Sequence, residues 1–352
     1  MVNGSAKSPR SPAPLLWATG GAASLALLAA TFHGVDAGRV TALLEGLGWS
    51  APLLLLPSSA ALLLEARAWQ LGLSSAGHRA RLGALLGVRV ASESIGTLLP
   101  LGTVWADAMK PSLLAARCSI PFPAGVAGVA IRKYLLVSSQ AAYLAIAFAL
   151  GHEALRAGFA HATGIPSLSF VALAAACALA VVGAGMAALL GRGSTLQRFV
   201  GWLSKSRFRC VARGGARLRD GAHRTDDAAA AFFGAPLHDR ARALAACLAA
   251  WLLEATETWL VLAALGASVG FRGAVGVEAL VVLSRHLLPL LPGGLGVQEL
   301  GYTALFAGVG CDVDRALSLV VLKRAREAAW LAVGAVALSS GALVRGPSRA
   351  VA

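Results

Sequence analysis

The stretch Leu288-Pro-Leu-Leu-Pro-Gly-Gly-Leu-Gly-Val-Gln-Glu-Leu-Gly301 interrupts apolar sequence with two prolines, four glycines, a glutamine and a glutamate. Proline removes a backbone donor and glycine frees φ, so the pattern predicts a broken helix. Broken backbone at membrane depth is tolerated only where protein or a water-filled cavity supplies hydrogen-bond partners. Because the flanking arms are too short to cross a bilayer, the pattern favours an intramembrane polar site over an aqueous loop.

A second break, Leu98-Leu-Pro-Leu-Gly-Thr-Val-Trp-Ala-Asp107, precedes the first one by 192 residues. The same shift aligns Pro100 with Pro292, Gly102 with Gly294, Asp107 with Glu299, and Arg132 with Arg324. Apolar segments with Gly/Pro interruptions at matching positions of two halves indicate an internal repeat around a transporter site. The residues predicted to break the helices are Pro100, Gly102, Pro292, Gly293, Gly294 and Gly296.

The composition is that of an all-α polytopic membrane protein, with 57% hydrophobic and 14% charged residues and a mean hydropathy of +0.70. The net charge of +14 raises the question of nucleic acid. The basic residues nevertheless cluster between apolar segments, as the positive-inside rule describes, and we expect no nucleic-acid partner. Five scattered cysteines indicate neither a disulfide framework nor a metal site, and no cofactor is expected.

Loop charge and segment length predict six spanning helices and two re-entrant hairpins. The spans are 15–32 (an uncleaved helix rather than a signal peptide), 47–64, 123–151, 166–191, 243–265 and 314–343. The chain then divides into a disordered basic tail (1–13), a first membrane half (14–191) with hairpin 83–117, a basic cytoplasmic linker (192–242), a second half (243–343) with hairpin 273–310, and a tail (344–352).

The predicted topology places both termini and a 65–81 loop in the cytoplasm, and a 152–162 loop on the far side. Three crossings separate the hairpins, which makes the two halves inverted relative to each other. If both hairpins span fully, ten crossings result, and the inverted-hairpin arrangement is lost.

The 192–242 linker carries eleven Lys/Arg against four Asp. Six apolar residues interleave with its arginines and indicate a basic amphipathic helix lying on the membrane surface: Phe199, Trp202, Leu203, Phe208, Val211 and Leu218. Plain positive-inside charge with aromatic anchoring is the alternative. The linker is also where lipid-synthesis or export proteins would bind.

Ten charged residues fall at membrane depth, where each costs about 2.5–3.5 kcal/mol on insertion scales unless it is paired. Together with Gln298 they are the predicted substrate-binding and translocation residues: Arg89, Glu93, Asp107, Arg132, Glu254, Glu257, Arg285, Glu299, Arg324 and Glu327. Each of them alone could be a structural ion pair, whereas the whole set favours a polar cavity. The oligomeric state is not predicted.

Six of these residues suggest roles. Asp107 and Glu299 each follow a proline by seven residues, near the first turn of a return helix, where a carboxylate is stabilised or simply acts as a cap. Arg132 and Arg324 are candidates for an anionic headgroup, because guanidinium binds phosphate bidentately. The pair Glu254 and Glu257, on one helical face, could complete ion pairs or carry protons.

No enzyme signature is present: HExxH, Walker A, GxSxG and paired metal-ligand histidines are all absent from the sequence. We therefore expect a protein that is not an enzyme.

The segments Leu291-Pro-Gly-Gly-Leu-Gly-Val-Gln-Glu-Leu-Gly-Tyr302 and Leu322-Lys-Arg-Ala-Arg-Glu327 resemble the lysylphosphatidylglycerol synthase transmembrane/flippase-like family. Its hopanoid-biosynthesis-associated branch is the most similar. The segment ending at Asp107 and the sequence Glu254-Ala-Thr-Glu257 fit the family's other patterns, although Trp105-Ala106 stands where small residues, often glycine, are usual.

The resemblance implies a multi-pass protein of the bacterial inner membrane that moves a lipid through a polar cavity lined by re-entrant helices. The lipid could be a hopanoid, an anionic lipid or a polyprenyl lipid. Lysyl transfer is not implied, because the soluble catalytic domain of the lysyl-transferring relatives is not in this sequence. The alternative function is a non-transporting scaffold for lipid-synthesis enzymes.

Overall fold

The computed structural model of the protein describes residues 25–29, 31, 35–97, 101–205, 209–287 and 294–339. These residues form helices and connecting turns, without a strand among them. The helices are α1 (Ala37–Leu47), α2 (Ser50–Leu54), α3 (Leu56–Ser75), α4 (Leu82–Thr97), α5 (Gly102–Cys118), α6 (Phe122–Thr163), α7 (Phe170–Gly191), α8 (Thr195–Ser204), α9 (Arg209–Gly234), α10 (Leu237–Ala264), α11 (Phe271–Leu287), α12 (Val297–Ala307) and α13 (Val313–Ser339), with a 3-10 turn at Pro166–Ser169.

Within the described ranges, four helical segments are long and apolar enough to cross a membrane: Ser50–Ser75, Phe122–Thr163, Pro166–Gly191 and Leu237–Ala264. Helix α13 has 27 residues but carries three cations and an acid near its middle. Of the predicted first span, 15–32, only 25–29 and 31 are described, and they are helical. The protein is an all-α polytopic membrane protein, as predicted.

Two predicted loops are helical instead. The second span does not end at residue 64, because α3 continues to Ser75 and buries Trp69 completely. The predicted 152–162 loop is the last part of α6, which is 42 residues long. Here Leu155 and Gly158 are buried and Glu153 is exposed. The prediction of a loop is wrong because the charged residues of this segment lie on the exposed face of a helix.

The predicted 192–242 linker is largely folded. The Asp226 carboxylate of α9 accepts from the backbone N–H groups of Leu196 and Gln197, at 3.0 and 2.9 Å, and so caps α8. Helix α9 also packs against α6 and α7. In α8, Val200 is buried and Trp202 is 70% exposed, which fits the predicted amphipathic helix. Phe208 lies outside the described residues, and so does the side chain of Val211.

Helix packing follows the internal repeat. The shift of 192 residues carries α3 onto α10, α4 onto α11, α5 onto α12 and α6 onto α13. Helices α3 and α10 pack against each other, and the reciprocal pairs α4–α13 and α6–α11 are both in contact. Glycines permit close approach in both pairs: Gly334 lies against Val90 and Ser94, and Gly151 lies against Gly276.

Both halves contain an antiparallel hairpin, and the two hairpins open at opposite ends of α6. Helix α5 ends four residues before α6 begins, and Gly125 near that beginning packs on Pro111. Near the other end of α6, Gly158 packs on Leu305 of α12 and Gly151 on the start of α11. This is the relative arrangement expected of an inverted repeat. Re-entry of the hairpins into a membrane stays a prediction.

Candidate functional site

The first ion cluster joins three helices of the first half. Arg89 Nη1 lies 2.8 Å from Glu65 Oε2, and Arg89 Nε lies 3.1 Å from Glu93 Oε1. Arg132 Nη2 of α6 lies 3.3 Å from Glu93 Oε1 and 3.6 Å from Glu65 Oε2. Two arginines therefore share two glutamates, which supplies the counter-ions that charges removed from water need.

An aromatic ring supports this first cluster. The Arg132 guanidinium lies 5.8 Å from the centroid of the Trp69 ring, within the range of a cation–π contact. The Trp69 indole N–H donates to the Gly128 carbonyl at 2.9 Å. The ring is thereby fixed beneath Arg132, and its only polar atom is satisfied.

Asp107 belongs to a separate group within the first hairpin. Its carboxylate contacts Lys110 Nζ at 2.6 Å and Lys133 Nζ at 2.7 Å. Lys110 is only 2% exposed, so the carboxylate is its counter-ion. Helix α5 begins at Gly102 without a side-chain cap. The capping role considered for Asp107 is therefore wrong, because this carboxylate pairs with Lys110, one turn further along, and with Lys133 of α6.

The first break is tight. Leu101 has φ 56°, a left-handed conformation that a non-glycine residue adopts only at a cost. A Cβ on Gly102 would lie 1.8 Å from the Gly96 carbonyl oxygen, so no larger residue fits there. The predicted breaker Pro100 lies outside the described residues.

The second break carries the second ion cluster, around Arg324 of α13. Arg324 Nε lies 2.7 Å from Glu299 Oε1, Nη1 lies 2.7 Å from Glu327 Oε2, and Nη2 donates to the Gly294 carbonyl at 3.3 Å. Glu299 Oε2 accepts from the Gly296 N–H at 2.7 Å. Glu299 therefore caps α12 and also anchors Arg324, so its predicted capping role is observed.

Glycine conformation shapes this second break. Gly294 and Gly296 have φ of 63° and 85°, which favour glycine over any residue with a Cβ. Pro292 and Gly293, also predicted to break the helix, lie outside the described residues.

A third group, around Glu278 of α11, is the most buried. Glu278 Oε2 lies 2.8 Å from Lys323 Nζ and accepts from the Tyr302 hydroxyl at 2.8 Å and from the Thr258 hydroxyl. Lys323 also donates to the Tyr302 oxygen at 3.0 Å. One carboxylate oxygen thus has three donors from three different helices.

A fourth group connects the two halves through α10. Arg326 of α13 pairs with Glu257, which is fully buried. Glu254, one turn earlier on α10, lies within electrostatic range of Arg326 and also of Arg89 in the first cluster. The acids of α10 therefore stand between the cations of the two halves.

The structure brings most of the predicted site residues into these groups. Arg89, Glu93 and Arg132 form one cluster, and Glu299, Arg324 and Glu327 form another. Gln298 is buried at the start of α12. Arg285 lies in α11, but its side chain is outside the described part of the chain.

The residues of these groups that were not among the predicted site residues include Glu65, Trp69, Glu278, Tyr302 and Lys323. A signal for Glu65 was present, because the shift of 192 residues places it on Glu257. The others carry no comparable signal, since each is defined by contacts between helices distant in sequence.

The described residues contain no group of three His, Cys, Asp or Glu side chains arranged to hold a metal ion. What the site offers is charge: paired guanidinium, ammonium and carboxylate groups beside two broken helices. Such groups can bind and release a charged or zwitterionic ligand without forming a covalent bond.

Residues 17–334 match the family described as the lysylphosphatidylglycerol synthase TM region. The chain belongs to this family. One curated relative is "Glycosyltransferase AglD" of Haloferax volcanii, 26% identical over 280 residues, which are 74% of this chain and 43% of the relative. The chain thus spans less than half the length of that protein. Membership of the hopanoid branch stays a prediction.

Proposed function

We propose that this member of the family is a lipid transporter, in which a lipid headgroup follows the ion clusters while the acyl or polycyclic part stays in the bilayer. Membership of a family named after the membrane region of a lipid-modifying enzyme supports a lipid-related role. The proposed location is the bacterial inner membrane with both termini in the cytoplasm, as the distribution of basic residues favours.

The observation that carries the proposal is the environment of Arg324. Its side chain is 22% exposed although it lies beside a helix break and within the predicted span 314–343. Its guanidinium is shared by two carboxylates and one carbonyl group. A phosphate or another anionic headgroup can replace one carboxylate with bidentate geometry, and the displaced glutamate keeps the cap of α12 as an alternative partner.

The arrangement of the hairpins supports movement across the membrane. Arg132 and Arg324 occupy equivalent positions in two halves whose hairpins open at opposite ends of α6. In this proposal a headgroup released by one arginine is taken up by the other. The charged groups between the two arginines include Glu254. The candidate lipids are hopanoids, anionic lipids and polyprenyl lipids.

The test is lipid movement between leaflets of proteoliposomes that contain the purified full chain and labelled anionic, zwitterionic or neutral lipids. We expect movement with the wild type and its loss in Arg324→Ala and Glu299→Gln. Arg79→Ala is the matched control, because Arg79 is an exposed loop residue. Equal movement in all variants, or none with folded wild type, contradicts the proposal.

No enzymatic activity is proposed. The glycosyltransferase name belongs to a relative of which this chain matches less than half. The activity of that whole protein is therefore not extended to this chain.

A scaffold is the second candidate, favoured by one observation. Phe199 and Trp202 of α8 stack with ring centroids 6.1 Å apart and are both largely exposed on a basic surface. Lipid-synthesis or export proteins could bind there. Phe199→Ala/Trp202→Ala should abolish co-purification of such enzymes if the protein is a scaffold, and should leave lipid movement measurable if it is a transporter.

A further inference from the structure

Glu257 is a buried carboxylate whose two oxygens differ. Its side chain is fully buried, and Oε1 pairs with Arg326 Nη1. Oε2 has no hydrogen-bond partner within the described residues. Ser58 of α3 is a neighbour, but its hydroxyl donates to the Leu55 carbonyl at 2.8 Å. The anion is therefore only half satisfied, which is costly in a buried site.

Glu278 shows what a satisfied carboxylate looks like in the same bundle. It is equally buried, yet Lys323, Tyr302 and Thr258 all donate to it. The Oε2 atom of Glu257 lacks such donors. Protonation would remove the charge and turn this oxygen into a hydroxyl donor.

Glu254 provides a second carboxylate beside Glu257. It is partly exposed, and among the described residues it forms no ion pair. The spacing of three residues places both acids on one face of α10. Glu254 lies near the middle of a predicted span, where an unpaired carboxylate marks a path for ions or protons.

In the part of the chain that the structure describes, the carboxylates of this pair outnumber the cations available to them by one. Helix α13 contributes Lys323, Arg326 and Glu327, α4 contributes Arg89, α11 contributes Glu278, α6 contributes Tyr143, and α3 contributes Glu65. Lys323 is bound to Glu278, and Arg89 is bound to Glu65 and Glu93. Among the described side chains, Arg326 is thus the cation left for two carboxylates, and like charges in one site favour a shared proton.

We propose that Glu254 and Glu257 form a site for one exchangeable proton. A hydronium ion gives a proton to a Glu254 carboxylate oxygen and becomes water. Because Oε2 of Glu257 is not within hydrogen-bond distance of Glu254, the proton passes to it through a bridging water, which leaves Glu254 ionised again. Neutral Glu257 then releases Arg326, whose nearest remaining anions are Glu254 and Glu327. Loss of the proton to water reverses the sequence, and no bond other than O–H forms or breaks.

Proton binding at this site does not depend on the proposed transport function. Only the coupling of protonation to lipid movement rests on that function. Arg326 is two residues from Arg324 on α13. Release of Arg326 therefore removes one ion pair from the helix that carries Arg324, the residue proposed to bind the headgroup. Binding of the proton itself requires no lipid.

Proton binding is tested by infrared difference spectroscopy of the full chain in lipid nanodiscs during a pH titration. We expect a titrating carbonyl band of a protonated carboxyl group, lost in Glu257→Gln and shifted in Glu257→Asp. The matched control Glu45→Gln makes the same chemical change at an exposed residue of α1 and should keep the band. A wild type without such a band, or a band that persists in Glu257→Gln, overturns the proposal.

The coupling is tested in proteoliposomes with an imposed pH gradient. We expect the gradient to change the rate of lipid movement in the wild type and in the control Glu45→Gln, and this response to the gradient to be lost in Glu257→Gln. An unchanged response in Glu257→Gln refutes the coupling. If the carboxyl band titrates but no lipid moves in any condition, the transport function fails and the proton site stands.

Discussion

The two ion clusters occupy equivalent places in the repeat but join their charges differently. In the first half, Arg132 pairs with Glu65 and Glu93 and not with Asp107, the acid after the break. In the second half, Arg324 pairs directly with Glu299, the acid after the break. In the first cluster the two arginines pair with two glutamates that both precede the break in the sequence. In the second cluster the arginine pairs with the acid that follows the break.

The difference follows from one pair of substitutions between the halves. Asp107 has Lys110 and Lys133 beside it, while the equivalent positions in the second half are Tyr302 and Ala325. With two lysines available, Asp107 does not need Arg132. Glu299 has no such lysines and takes the arginine. A repeat can therefore keep its charged positions while the ion-pair partners of those positions differ between the two halves.

The largest effect is expected from Arg132→Ala. It leaves Glu65 and Glu93 with one arginine between them, and breaking a buried pair in this way costs about 3–5 kcal/mol. Arg324→Ala should cost less, because that side chain is more exposed. Denaturant titration in mixed micelles measures both free energies of unfolding. Equal losses would show that the clusters are energetically equivalent.

The next largest effect is expected from Gly102→Ala. Its Cβ would collide with the Gly96 carbonyl oxygen, and such overpacking costs about 1–3 kcal/mol. Gly294→Ala, at the equivalent position, requires a left-handed conformation and should cost about 1–2 kcal/mol. Thermal denaturation of the two variants ranks the breaks. If Gly102→Ala does not lower the stability, the backbone around Gly96 and Gly102 can move apart to accept a Cβ, and the close contact does not limit the residue at this position.

Asp107→Asn sharpens the comparison of the two acids after the breaks. It removes the counter-ion of buried Lys110 and should cost about 1.5–3 kcal/mol, as hydrogen bonds to charged groups do. Asp107→Asn/Lys110→Met removes both charges and should recover most of the stability. A double variant no more stable than the single one would mean that the pair is not mutually compensating.

The smallest effect is expected outside both clusters, at Arg39 of α1. It contacts Asp312 at 3.4 Å and Asp314 at 3.2 Å, and half of its side chain is exposed. Exposed ion pairs contribute about 0–1 kcal/mol, so Arg39→Ala should hardly change the free energy of unfolding, and less so in high salt. A loss as large as that of Arg132→Ala would contradict the distinction between buried and surface pairs.

The sequence predicts the fold well where the signal is local. Proline, glycine and hydrophobic runs place both breaks and most spans. Charges mislead where they lie on a helix. Glu65 and Arg67 predict the end of a span, and Glu153 and Arg156 predict a loop, whereas each group continues a helix.

Partner choice within the site could not be predicted. Glu257 pairs with Arg326 rather than with Arg324, and Lys133 rather than Arg132 reaches Asp107. A difference of one or two helical positions decides such contacts. Helix rotation is set by packing between distant segments, and the one-dimensional pattern does not contain it.

The length of α6 has a mechanical consequence. At about 1.5 Å per residue, its 42 residues extend for about 63 Å, roughly twice the apolar thickness of a bilayer. It touches the return helix of one hairpin through Gly125 and that of the other through Gly158, about 50 Å apart. A continuous helix has no hinge. We therefore expect a tilt of α6 imposed at one hairpin to displace the other hairpin in the opposite direction.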